Sequence, residues 1–179
     1  MTAATWQAAQ ATKAEVSQRC FIALGANLGN PVVTVQKAIL ALRGLPQTEF
    51  IAASSLYRTA PVGLKHQPDF INAVVELRAV APALTLLDSL FEIEARFGRA
   101  RSIRNAPRTL DLDLLLYGEE LSDDPQLTLP HPRLHERAFV LAPLAEISPQ
   151  LMIPGRGPVS ELLLRCAGQK IEKLLSLPA

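Results

Sequence analysis

Residues 99 to 113 read Arg99-Ala-Arg101-Ser-Ile-Arg104-Asn-Ala-Pro-Arg108-Thr-Leu-Asp111-Leu-Asp113, four arginines leading into two carboxylates. The alternation of Leu110, Leu112, Leu114 and Leu116 with Asp111 and Asp113 predicts a strand over 109–117 that presents both carboxylates on one face. Positions i and i+2 of a strand lie about 7 Å apart, a spacing at which two carboxylates can share a pair of divalent cations. Mg²⁺ is a hard cation that needs only one or two carboxylates when substrate phosphates and water complete its shell. Arginines nearby grip phosphate oxygens through paired donors. The chemistry open to this stretch is phosphoryl transfer, and with no GxxxxGK[ST] motif in the chain the nucleotide site would be built without a P-loop. A solvated strand edge carrying Asp-Leu-Asp among surface arginines is the alternative that these residues leave open.

The elements that must position the stretch follow from periodicity. Residues 20–24 are apolar and run into Gly25-Ala-Asn27-Leu-Gly29-Asn30-Pro31, which predicts a strand, a turn, and a helix capped by Asn30 with Pro31 at its first position. That helix should end near Leu42, before Gly44 and Pro46, with a second strand over 50–59 and a loop over 60–68. In the next strand Ile71, Ala73, Val75 and Leu77 form the core face. Phe70, Asn72, Val74 and Glu76 are left on the other face, where an aromatic ring beside an amide suits a flat heterocycle. Helical spacing of Leu84, Leu87, Leu90, Phe91 and Ile93 follows, with Gly98 as its stop. The order βαββαβ predicts an α+β fold with a ferredoxin-like core, an antiparallel sheet with helices packed on it. Beyond it, 127–132 reads as a short edge strand, while 137–147 and 160–175 read as C-terminal helices, Pro143 kinking or breaking the first.

Composition narrows the classes. At 179 residues the chain has the size of one domain, expected over 20–179 after an N-terminal extension, 1–19, that lacks the charge and apolar run of a secretory signal. Lys+Arg total 18 against 17 Asp+Glu, so no global field steers the protein toward nucleic acid or a membrane surface. Cys20 and Cys166 form no CxxC pattern and read as buried, inert thiols. A cytoplasmic monomer is expected, with no membrane span. Two other functions stay open on residues alone: a metal-dependent phosphohydrolase or nucleotidyl transferase using the same Asp pair, and a ferredoxin-like nucleic-acid-binding module. Against the module, Asp111 and Asp113 would repel phosphate unless metals intervene.

The run Pro107-Arg108-Thr109-Leu110-Asp111-Leu112-Asp113 resembles the signature of the hydroxymethyldihydropterin pyrophosphokinase family. Phe21-Ile-Ala-Leu-Gly25-Ala-Asn27-Leu-Gly29 resembles that family's first strand and turn. Ser54-Ser-Leu-Tyr57-Arg-Thr59 and Gln67-Pro-Asp-Phe70-Ile-Asn72 resemble its pterin segment. Leu129-Pro130-His131-Pro132 and Arg137-Ala-Phe139 resemble its C-terminal site segment. The resemblance implies that ATP gives a pyrophosphoryl group to 6-hydroxymethyl-7,8-dihydropterin, releasing AMP, in folate biosynthesis. It also implies two Mg²⁺ ions on Asp111 and Asp113, with Arg99 and Arg101 joining this pair as catalytic residues. Arg99, Arg101, Arg108, Glu94 and His131 match ATP positions. Phe70 and Phe139 match the rings that sandwich the pterin, Asn72 the amide that reads its edge, and Thr59 and Val62 the rest of the pocket. Closure of 99–107 over ATP is expected, driven by the arginines. Three positions depart from the family pattern: Phe70 stands for a frequent Tyr, Pro132 for a frequent aromatic, and Asn105 for a frequent Trp in a shortened basic loop.

Overall fold

Nine residues make the central strand β1 (Gln18–Ala26) of the computed structural model, which describes residues 17–61, 66–98 and 108–175. Helix α1 (Pro31–Arg43) starts where expected: the Asn30 side chain accepts from the Val33 N–H, and Pro31 occupies the first turn, where its missing N–H costs nothing. Strands β2 (Thr48–Ala53), β3 (Leu56–Thr59) and β4 (Phe70–Ala79) follow, then α2 (Ala83–Arg96) and β5 (Asp111–Tyr117). The sheet order is β10-β3-β4-β1-β5, with β10 (Ile171–Leu175) on one edge and β2 also paired to β4, all neighbours antiparallel. This is the ferredoxin-like α+β arrangement that the element order predicts.

The strand expected over 50–59 is two. Ser54 and Ser55 interrupt it, and the gap in the ladder is closed by Ser54, whose N–H donates to the Val74 carbonyl at 2.9 Å while its Oγ accepts from the Val74 N–H at 2.9 Å. Serine hydroxyls compete with the backbone for such bonds, so a β-rich pattern still breaks here. The C-terminal expectation also needs correcting. Residues 160–175 form a short helix α4 (Val159–Arg165) and then β10, so the last apolar residues complete the sheet edge beside β3. Helix α3 (Ala138–Ile147) continues through Pro143. Between β5 and α3 lie the hairpin β6 (Ser122–Asp124) and β7 (Leu127–Leu129) and a 3₁₀ turn, and the pair β8 (Met152–Ile153) and β9 (Gly157–Pro158) precedes α4.

Both faces of the sheet are covered. Cys20, Ile22 and Leu24 pack under α1 and α2, whereas Phe21 and Val74 pack under α3 and α4. The face of β4 left open by alternation is therefore buried: Asn72 and Glu76 are each 5% exposed and Val74 is fully enclosed. A pattern read strand by strand does not register helices that arrive later in the chain. On α2 the core stripe is Ala83, Leu86, Leu90 and Ile93, and Leu84 and Phe91 face outward. Both cysteines are buried, and burial pushes the Cys20 thiol up to about 12, which keeps it inert.

Glu146, in the last turn of α3, fastens that helix to the sheet. It accepts from the Ser55 N–H at 3.1 Å, the Ser55 hydroxyl at 2.6 Å and the Tyr57 hydroxyl at 2.8 Å, and pairs with Lys173 of β10 at 3.1 Å. Burial alone would raise its carboxyl, but the bonds from Ser55, Tyr57 and Lys173 outweigh it and hold the group below its ordinary value. Glu146→Ala should cost about 2–4 kcal/mol in denaturant unfolding, since several donors lose one acceptor together. This contribution is present above the unfolded carboxyl value of about 4.3 and fades as pH falls through the lower folded one. A parent and variant that differ equally at pH 7 and pH 3 would show that the charge is not what fastens the helix.

Candidate active site

At one end of the sheet the second face emerges from beneath α3, and the pairing register sets a row across it. Tyr57 of β3 lies opposite Asn72 of β4, Asn72 opposite Gly25 of β1, and Gly25 opposite Asp111 of β5. One step along, Val74, Ala23 and Asp113 form the next row. Directly paired residues share a face, so Asn72, Asp111 and Asp113 point the same way over a floor of Gly25 and Ala23. With strands spaced about 4.8 Å, the backbones of Asn72 and Asp111 stand roughly 10 Å apart, and the absent side chain of Gly25 leaves a notch between them. A Cβ on Gly25 would come within 3.4 Å of Asn72 Oδ1.

Asp111 pairs with Arg108, three residues before it. Asp113 has His131 Nε2 at 3.8 Å and an Arg137 terminal nitrogen at 3.9 Å. His131 is held by its own N–H, which donates to the Leu115 carbonyl at 2.9 Å inside an irregularity of β5. That bulge also corrects the expected leucine face: Leu110, Leu112 and Leu114 stay in the first core, but Leu116 turns into the second beside Phe21. Burial, then the charge of Asp111, raises the Asp113 carboxyl, against the pull of His131 and Arg137. Burial lowers His131, though Asp113 opposes it, and burial with neighbouring Arg133 lowers Arg137. A carboxylate pair in this state is relieved by an added cation.

Glu94 is 3% exposed and accepts from the Leu112 N–H at 2.6 Å. It meets the site through the backbone of β5, sealing the outer edge of the strand between the two aspartates. Asn72 donates to Thr59 Oγ1 at 2.9 Å, and Phe70 lies opposite Thr59 in the ladder, which gathers these three. Phe139 sits in the first turn of α3 with the Arg137 guanidinium 5.6 Å from its ring centre, linking the aromatic to the Asp113 cluster. Arg99, Arg101, Asn105 and Val62, and the expected closure of 99–107, lie outside the described residues, as does most of the N-terminal extension.

Three contributors escaped a reading of isolated motifs. Gly25 has meaning only through its register with Asn72 and Asp111, and Arg137 only once α3 brings it beside Asp113. Asn27 binds three segments at once. Its amide donates to Gln67 Oε1 at 3.0 Å and the Pro68 carbonyl at 3.1 Å, its Oδ1 accepts from the Arg108 N–H at 2.8 Å, and its N–H donates to the Arg108 carbonyl at 3.1 Å. The quoted Gly25-Ala-Asn27 turn was the available signal.

An α+β sheet gathers two carboxylates, two arginines and a histidine at one open end, a set of groups whose chemistry suits an enzyme of phosphorylated substrates. The family model described as 7,8-dihydro-6-hydroxymethylpterin-pyrophosphokinase (HPPK) matches residues 21–149. The chain is 46% identical over 157 residues to the 2-amino-4-hydroxy-6-hydroxymethyldihydropteridine pyrophosphokinase of Pseudomonas aeruginosa, covering 88% of this chain and 97% of that protein. It is 42% identical over 154 residues to the protein of the same name from Haemophilus influenzae, covering 86% and 96%. The wild-type HPPK-DHPS of Plasmodium falciparum has the same fold, with a TM-score of 0.64 at 14% identity over 84% of this chain, which spans 45% of that one. The chain belongs to the 7,8-dihydro-6-hydroxymethylpterin-pyrophosphokinase family and is an enzyme of pyrophosphoryl transfer in folate biosynthesis. The hydrolase, nucleotidyl transferase and nucleic-acid readings find no support in these matches. Among the described residues no helix is long and apolar enough to cross a membrane.

Proposed function

We propose that the two ends of the Asn72–Gly25–Asp111 row hold the two substrates, 6-hydroxymethyl-7,8-dihydropterin at Asn72 and the triphosphate of ATP at the aspartates, so that reaction occurs over the Gly25 notch. The row itself carries the reading, because it sets an amide and a carboxylate pair on one face with an open floor between them. Asn72 reads the ring edge with Thr59 behind it, while Phe70 and Phe139 offer the ring faces. Arg108, Arg137 and His131 face the phosphates, and Glu94 steadies the aspartates through Leu112. Arg99 and Arg101 are assigned to ATP, and Val62 to the pterin, by family resemblance.

Asp111 and Asp113 fit Mg²⁺: they offer hard oxygen donors on one face, and Asp113 is held with its charge disfavoured. Among the described residues no group of three or more His, Cys, Asp or Glu gathers into a closed cage, which accords with phosphate and water completing the shells. Two such ions, bound there, would neutralise the triphosphate and orient its β-phosphorus toward the pterin hydroxymethyl oxygen. Protein side chains do the rest by positioning.

Incubation with ATP, Mg²⁺ and the pterin should yield AMP and the pterin diphosphate in equal amounts, with neither formed when the pterin is left out. AMP or ADP release without pterin would sink the transfer reading in favour of hydrolysis.

A further inference from the structure

Resting on the assignment of the pterin to Asn72 and the triphosphate to the aspartates, we propose that Asn27 is a positioning residue for the transfer, setting Arg108 on the phosphate side against Phe70 on the pterin side. Asn27 follows β1 directly, so the strand that supplies the Gly25 floor also carries this amide. It is 2% exposed and both ends of its side chain are engaged by protein, so it works through its partners and meets neither substrate. The β1–β5 ladder closes at Gly25 and Asp111, and Arg108 lies beyond it. Asn27 holds Arg108 there at two points, its N–H donating to the Arg108 carbonyl and its Oδ1 accepting from the Arg108 N–H. The Arg108 guanidinium in turn pairs with Asp111.

On the other side the Asn27 amide donates to Gln67 Oε1 and the Pro68 carbonyl, in the segment that runs into Phe70 at the start of β4. Two of these partners are backbone groups, an N–H at Arg108 and a carbonyl at Pro68, which cannot exchange roles. They fix the amide in one orientation, donor toward the pterin segment and acceptor toward Arg108. A side chain that only closed a turn would need one of these ends, whereas the pair links residues 67–70 to Arg108. An ionised Asp keeps the acceptor and loses the donor, and an apolar residue of this size keeps neither. A misplacement of about 1 Å costs about 10²-fold in rate, so a link of this kind acts on turnover without touching a substrate.

Asn27→Asp separates the two ends, because it keeps the shape and the acceptor for Arg108 but sets an oxygen against the Pro68 carbonyl. With Mg²⁺, a non-hydrolysable ATP analogue should bind this variant within about threefold of the parent, while the pterin, titrated with the analogue present, should weaken by about tenfold. Turnover at saturating substrates should fall by about tenfold or more, a loss that a change in affinity alone does not give. Asn27→Ser, uncharged and too short to reach either side, should weaken both ligands and lose more turnover, and it guards against a response due only to the buried charge of the aspartate variant. A purely structural role would lower melting temperatures and leave the affinities and turnover of the folded variants at the parent's level. That outcome, or equal weakening of both ligands in Asn27→Asp, would overturn the proposal. Asn72→Ala is the control for the assignment beneath it. If Asn72→Ala keeps the parent's pterin affinity, the pterin does not bind at Asn72 and the proposal falls with that reading; a parent-like Asn27→Asp beside an impaired Asn72→Ala overturns the proposal alone.

Discussion

Replacing Asp113 with Asn should lower turnover by about 10³-fold while leaving the protein at least as resistant to unfolding as the parent. The two effects have one cause. Asp113 carries its charge at a disadvantage, because burial and the neighbouring charge of Asp111 raise its carboxyl despite His131 and Arg137 nearby. A group whose folded value lies above its unfolded one opposes folding when ionised at neutral pH, and a neutral amide of the same shape removes that opposition. The same amide is a poor ligand for Mg²⁺, and without charge neutralisation at the phosphates the chemical step loses its largest single contribution. Asp111→Asn should behave alike in turnover, but it also strands the Arg108 guanidinium, so its stability gain should be smaller. Steady-state rates at saturating Mg²⁺, with thermal melts in chelator, check both halves. Either variant retaining activity within twofold would remove the aspartates from metal binding.

The Asp pair was readable because the signal is local: period-two alternation sets both carboxylates on one face, and the structure keeps them there up to the bulge after Leu114. The βαββαβ order was readable for the same reason, since Asn30, Pro31 and Gly98 mark helix ends chemically and Gly98 adopts the left-handed backbone that favours glycine. What failed was non-local. Residues 171–175 are apolar enough to extend a helix, and only the free edge of β3 makes them a strand. Asn72, Val74 and Glu76 looked outward until α3 and α4 covered them. The bond from the Leu112 N–H to Glu94 joins α2 to β5, a contact that no spacing along the chain encodes. Arg137 belongs to the site through one approach between α3 and β5, which no spacing along the chain encodes.

Gly25 gives the second large effect, and here the direction separates stability from function. Glycine in a strand interior weakens it, and Gly25 has no left-handed backbone to justify its presence, so a β-branched residue should hold the strand as well or better. The reason for glycine must lie in the space above it. An added Cβ stands 3.4 Å from Asn72 Oδ1, in van der Waals contact with the amide and in the space above the notch. Gly25→Ala should therefore lower kcat/KM for the pterin by about tenfold, and Gly25→Val, whose methyls fill the notch between Asn72 and Asp111, by about 10²-fold or more, the scale on which a misplacement of about 1 Å acts. Binding of an ATP analogue with Mg²⁺ should stay within about threefold, since the phosphate contacts lie beyond Asp111. Melting temperatures should hold or rise. A Gly25→Val enzyme with the parent's kcat/KM for the pterin would mean that the substrates meet elsewhere. Loss of ATP and pterin binding together would mean instead that Gly25 sets the spacing of β1 and β5 and leaves the reacting groups untouched.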